Sequence, residues 1–117
     1  MAGRKTRLGI VGCGNISGIY LKNAQQLFEN LEVVACADII PERSAARAEE
    51  FGVPRVCTTE DLMADPDVDI VVNLTPPAVH AEIELAAVAA AKHVHTEKPL
   101  ATSREDGARV VAAAREA

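Results

Sequence analysis

A chain of 117 residues with 49% hydrophobic and 25% charged side chains can bury one core, and its balance is far from the high-charge, low-hydrophobicity composition of a disordered chain. Seventeen acidic against twelve basic residues leave a formal charge of -5, which argues against a nucleic-acid partner, and no apolar run approaches the roughly 20 residues of a membrane span. Aromatic residues make up 3% with no Trp, so the core has to be built from Val, Ile, Leu and Ala.

The basic cluster Arg4, Lys5 and Arg7 comes first and reads as a solvated terminal stub. It lacks the apolar run of about 7 to 15 residues that a signal peptide carries, so a cytoplasmic location is expected. Apolar runs then alternate with helical patterns, the mark of βαβ units and a parallel sheet. Leu8 to Val11 is expected as the first strand, followed by a helix whose apolar face is Ile16, Ile19, Tyr20, Ala24 and Leu27. Val33 to Ala37 is the second strand; Pro41 opens a helix that runs to about Phe51 and stops at Gly52. A short strand, Arg55 to Cys57, leads to a helix started by the capping-box pair Thr58 and Asp61. Ile70 to Leu74 forms the fourth strand, and the next helix begins near Pro77 with the stripe Val79, Ile83, Ala86, Ala87 and Ala90. His93 to Thr96 is the fifth strand, and a last helix spans Thr102 to Ala117, with Thr102 and Glu105 as its capping pair. The expected fold is α/β: a doubly wound parallel sheet of Rossmann type in three layers, ordered 3-2-1-4-5 and lacking the sixth strand.

The first strand runs directly into Gly12-Cys13-Gly14-Asn15-Ile16-Ser17, which matches the dinucleotide pattern G-x-G-x-x-G except at its last position. Gly12 permits a tight turn, and Gly14 lets the backbone approach a pyrophosphate. The free N–H groups of the helix that Asn15 and Ile16 open would meet the phosphate charge. Ser17 replaces the third glycine and is small enough for close packing. Asp38 stands 24 residues after Gly14, at the end of the second strand, where a carboxylate accepts the hydroxyls of the adenosine ribose. The same carboxylate repels a 2′-phosphate, so NAD is favoured over NADP. Arg43 pulls the other way, since a guanidinium near the ribose could accommodate that phosphate. The bland alternative is a structural turn at Gly12 and Gly14, with Asp38 merely starting the next helix.

The fourth strand continues into Thr75-Pro76-Pro77 with His80 close behind, and the fifth into Glu97-Lys98-Pro99. With the glycine loop and Asp38, these motifs resemble the amino-terminal domain of the Gfo/Idh/MocA oxidoreductase family, over about Arg7 to Ala117. The resemblance implies that Thr75, Pro76 and His80 border the cofactor and that Glu97 contacts the nicotinamide ribose. It implies that Lys98 is the catalytic residue, reaching the substrate hydroxyl that gives up its proton. An ammonium at that oxygen stabilises the developing alkoxide as hydride leaves its carbon. The substrate class implied is a sugar, inositol or related polyol.

Cys13, Cys36 and Cys57 have no metal-site spacing and an odd count, so they read as reduced, buried small hydrophobes, with a reactive thiol at Cys13 as the lesser alternative. His93 and His95 share one face of the fifth strand without a supporting ligand, so no metal site is expected. Family members continue into a larger second domain that carries the substrate pocket. The chain is therefore expected to be the dinucleotide-binding domain of a longer protein, inactive by itself and associating into a homo-oligomer through its last strand or the face left uncovered. Two other readings stay open at this point: a regulatory module that binds NAD without turnover, and a methyltransferase-like domain binding S-adenosylmethionine. Glu97-Lys98-Pro99 has no role in either.

Overall fold

The computed structural model describes residues 5–117. Arg4 of the basic cluster lies outside them, and Arg7 is no solvated stub: it sits in the first strand and pairs with Asp67 at 3.0 Å and Asp69 at 3.4 Å. Among the described residues five parallel strands, β1 (Thr6–Val11), β2 (Leu31–Ala37), β3 (Arg55–Val56), β4 (Ile70–Asn73) and β5 (His93–Thr96), form one sheet in the order β3-β2-β1-β4-β5. The order in which successive strands are added reverses between β1 and β4, which opens a crevice beyond their carboxyl ends.

Helices α1 (Ser17–Gln26) and α2 (Pro41–Phe51) cover one face, burying Leu21, Ala24 and Ala48 against Leu8, Ile10, Val33, Cys36 and Val72. Helices α3 (Thr59–Ala64) and α4 (His80–Ala89) cover the other, where Leu62, Ile83 and Ala87 pack on Val11, Ala35, Ala37 and Val71. The last helix, α5 (Arg104–Glu116), stacks on α4. A register shift between Leu8 and Gly9 pairs Leu8 with Val33 but Gly9 with Ala35, so Val11 ends opposite Ala37 and the two strand tips stay level.

Local signals set most element ends. Pro41 is the first residue of α2, and Gly52 ends it in the left-handed conformation at φ 69°. The Thr58 hydroxyl accepts the Asp61 N–H at the start of α3, as its spacing predicts. In the last helix the cap moves by one residue: Ser103, not Thr102, accepts from the Asp106 N–H, and the helix starts at Arg104. Both hydroxyls precede an acidic first turn, and Ser103 is the one in the extended conformation, φ -141° and ψ 156°, directly before the helix. Before α4 the chain makes a 3-10 turn over Pro77–Val79, so the α-helix begins at His80 rather than at Pro77.

The larger correction concerns α1. Its buried residues are Ser17, Leu21 and Ala24, whereas Ile16, Ile19 and Leu27 are exposed, Ile19 by 56%. The glycine loop sets the helical phase: the Ser17 amide and hydroxyl both donate to the Gly14 carbonyl, which turns Ser17 to the sheet and carries Leu21 and Ala24 with it. Ile19, Tyr20 and Phe28 are left beside Ile70, Val72 and His95 along an apolar groove of about 570 Å³. Leu21→Ala is therefore expected to cost about 2–5 kcal/mol in urea unfolding, while Ile19→Ala should stay within about 0.5 kcal/mol. Equal losses would mean that the helical phase is the one the periodicity alone suggests.

Candidate functional site

At the tip of β1 the chain turns with Gly12 at φ +99°, a conformation that side chains rarely adopt. A Cβ there would lie 2.7 Å from the Leu74 carbonyl carbon and oxygen and 2.8 Å from the Thr75 nitrogen. The loop after β1 thus lies directly on the loop after β4. At Gly14 the situation is opposite: a Cβ would meet nothing within 4 Å, so this face of the loop is bare and open. A cradle of this form fits a pyrophosphate, because the loop backbone can be approached closely and the first amides of α1 have no side-chain cap.

Asp38 is tied into the same loop. Its Oδ2 accepts the Cys13 N–H at 2.7 Å, and its Oδ1 accepts the Ile40 N–H at 2.8 Å. The carboxylate therefore both starts the loop into α2, as the bland reading has it, and holds the glycine loop, while each oxygen keeps a lone pair for a ligand hydroxyl. Gly12, Asp38, Ile39, Arg43, Thr75, Pro76 and Val79 line one cleft of about 590 Å³ at the carboxyl ends of β1, β2 and β4. Gly14, Asn15 and Arg43 share a neighbouring hollow of about 340 Å³ with Arg47. The structure thus brings together Gly12, Gly14, Asn15, Asp38, Arg43, Thr75 and Pro76 around two adjoining spaces. Ile16 is half exposed beside them and lines neither.

Two residues with no place in the sequence motifs complete this arrangement. The Arg47 guanidinium, from α2, donates to the Gly14 carbonyl at 3.3 Å and pairs with Glu50 at 2.9 Å. Its spacing from Arg43, one helical turn, is the signal that could have found it. Tyr20 in α1 donates its hydroxyl to Glu97 Oε2 at 2.5 Å. This bond, then burial and the charge of Glu97, push the Tyr20 phenol up to about 12, so it remains a donor throughout the neutral range. Glu97 is thereby aimed by the helix that the glycine loop starts.

Behind the cleft lies a buried polar layer. Asn73, with no exposed surface, accepts the Thr75 hydroxyl at 2.6 Å and amide at 3.3 Å, and donates to the His80 carbonyl at 3.1 Å. His80 is 1% exposed, and its ring contacts the carbonyls of Thr75 and Pro99 rather than the cleft. Lys98 is exposed on the loop after β5, followed by a cis bond to Pro99. Cys13 and Cys36 are buried and Cys57 half-buried, all three unbridged. A hydrogen bond with Cys36, and then burial, push the Cys13 thiol upward, which favours the inert reading over a reactive one. Among the described residues no cluster of three His, Cys, Asp or Glu could hold a metal.

A family model described as an oxidoreductase family with an NAD-binding Rossmann fold matches residues 6–117. The chain belongs to the Gfo/Idh/MocA family. It is 42% identical over 112 residues to a 1,5-anhydro-D-fructose reductase of Ensifer adhaerens, covering 95% of this chain and 33% of that protein. Its fold superposes with a TM-score of 0.92 on the myo-inositol dehydrogenase of Lactobacillus casei in complex with NAD(H) and myo-inositol, at 29% identity, covering 97% of this chain and 34% of that one. It superposes with a TM-score of 0.88 on a 3-ketoreductase of Actinomadura kijaniata holding NADP and TDP-benzene, at 35% identity, covering 97% and 35% respectively. The chain spans about a third of the length of these relatives.

The two loop glycines are expected to fail differently. Gly12→Val should prevent stable folding, because backbone occupies the space its side chain needs. Gly14→Val should melt close to the parent but lose NADH affinity by about tenfold or more. Circular-dichroism melts and calorimetric titration separate the two effects, and a Gly14→Val chain that binds NADH unchanged would remove the phosphate assignment.

Proposed function

We propose that this domain is the nucleotide-binding part of an NAD-dependent oxidoreductase that transfers a hydride between nicotinamide and an alcohol carbon of a sugar, inositol or related polyol. The observation that carries the reading is the Asp38 carboxylate, anchored to the Cys13 amide and facing the cleft that Gly12, Thr75 and Pro76 also line. That position suits the hydroxyls of an adenosine ribose, with the pyrophosphate passing over Gly14 and the nicotinamide end reaching the loops after β4 and β5.

In this reading the dinucleotide, when bound, takes up the hydride. Glu97, held by Tyr20, meets the nicotinamide ribose, and the exposed Lys98 ammonium stands where the next part of the protein would present a substrate hydroxyl. There it stabilises the developing alkoxide and relays the proton. Support for the substrate class comes from the likeness to the anhydrofructose reductase and the myo-inositol dehydrogenase. The preference for NAD rests on charge: a 2′-phosphate would approach a carboxylate that two backbone amides hold in place. Arg43, on the rim of both spaces, is the residue that could offset this repulsion, and one of the similar structures does hold NADP.

NADH should accordingly bind more tightly than NADPH, and Asp38→Ala should narrow the gap by about tenfold, read by calorimetry. Equal affinities before substitution would defeat the NAD assignment. In the enzyme that carries this domain, Lys98→Ala should lower kcat by on the order of a hundredfold while NADH affinity changes little, since the ammonium acts on the transition state more than on bound cofactor. An unchanged kcat at saturating polyol would return Lys98 to an ordinary surface loop.

A further inference from the structure

Glu84 in α4 carries a fully buried carboxylate, and among the described residues neither of its oxygens makes a hydrogen bond, nor does the Thr96 hydroxyl near it. Burial pushes its carboxyl up, while the nearby Thr96 hydroxyl and the charge of His80 favour the ionised form. An isolated carboxylate so placed is unfavourable, so a compensating charge or proton has to be found close by. His80 stands one helical turn before it.

The His80 ring lies between two backbone carbonyls. Nδ1 is 2.6 Å from the Pro99 oxygen, and Nε2 is 2.6 Å from the Thr75 oxygen. A peptide carbonyl can only accept, and a neutral imidazole has one N–H and one lone pair. With the neutral ring, one of these contacts would therefore set lone pair against lone pair at 2.6 Å. Both are satisfied only when both nitrogens carry protons.

We infer that His80 is held as a buried imidazolium, with Glu84 as its counter-charge, and that this cation clamps the Thr75 loop to the Lys98–Pro99 loop. The two sides explain each other: Glu84 needs a positive neighbour, and the paired carbonyls need a ring with two donors. The other groups around the ring do not replace either one. Asn73, from β4, is neutral and bonds the His80 carbonyl; Glu97, ahead of Pro99 on the facing loop, is engaged by Tyr20; and Lys98 is exposed to solvent. The width of one imidazole then sets the span between the loop lining the cofactor cleft and the loop carrying Lys98. His80 is thus a positioning residue. Its effect on hydride transfer rests on the proposed function, whereas its charge state does not.

The full chain holds three histidines, and the other two, His93 and His95, are exposed, so replacing both with Gln leaves a single ring to observe. In that variant, labelled with ¹⁵N-histidine and without cofactor, both ring nitrogens should show the protonated signature at neutral pH and keep it at mildly alkaline pH. One unprotonated nitrogen at neutral pH would overturn the inference. Glu84→Gln, nearly the same shape without the charge, should make the ring lose its second proton at a lower pH than in the parent; an unchanged titration would remove Glu84 as the counter-charge. Between about pH 6 and 8, NADH affinity of Glu84→Gln should fall severalfold as the ring loses its proton, while the parent profile stays flat. Parallel profiles would deny the clamp its positioning role. A parent chain that binds no NADH would instead defeat the proposed function, and would leave the ring measurement standing.

Discussion

Everything at the cofactor end of this domain depends on backbone meeting backbone at the tip of β1. Gly12 lies so close to the Leu74 carbonyl and the Thr75 amide that no side chain fits between them, and the turn it makes directs the Cys13 amide at Asp38. Because β1 is central, with β2 on one side and β4 on the other, and Val11 lies opposite both Ala37 and Asn73, this one turn sits where the carboxyl ends of all three strands meet. The same turn leads to Gly14, whose carbonyl receives Ser17 from α1 and Arg47 from α2. A loop with few side chains of its own is thereby held from several directions, which is how a site that depends on close backbone approach can be rigid and bare at once.

A second constraint lies one layer deeper. The core of the sheet is apolar, yet where β4 and β5 end the buried residues are Asn73, His80 and Glu84. Asn73 bonds the His80 carbonyl at the start of α4, and the His80 ring meets the Thr75 and Pro99 carbonyls, so the loops after β4 and β5 are joined through side chains that never reach the cleft. Buried polar groups of this kind are costly unless satisfied, and when satisfied they define a single arrangement. The glycine loop reaches the same place from the other side, through Tyr20 and Glu97. The cleft is thus supported at its Gly12 end by backbone contact and at its far end by side-chain polarity.

The uncovered part of the molecule follows from the same geometry. With Ser17 facing the sheet, α1 leans its Leu21 and Ala24 inward and leaves Ile19 and Phe28 along an apolar groove that continues over Ile70 and Val72. No strand among the described residues pairs with the far side of β5. The groove also takes in His95 of β5, so the apolar surface and this strand edge lie close together.

The sequence by itself determined the elements, their order and the glycine turn with Asp38 at the strand tips. Those features are written locally: Gly where φ is positive, Pro at a helix start, Thr58 at a cap, Val and Ile where both faces are covered, and Asp38 directly after a strand. It did not determine which side of α1 faces inward, because Ile16, Ile19 and Leu27 satisfy a helical period as well as Ser17, Leu21 and Ala24 do, and the choice is made by bonds to Gly14. Nor could it give Arg47 and Tyr20 their partners, which lie 33 and 77 residues away along the chain; the spacing of Arg47 from Arg43 marks only a shared helix face. For His80 it suggested a cofactor neighbour, and the fold put the ring between two carbonyls contributed by loops 24 residues apart, behind the cleft. The helical stripe on α4 read as apolar, but the buried face also takes His80 and Glu84, since only tertiary packing supplies the carbonyls and the opposite charge that make polar groups tolerable there.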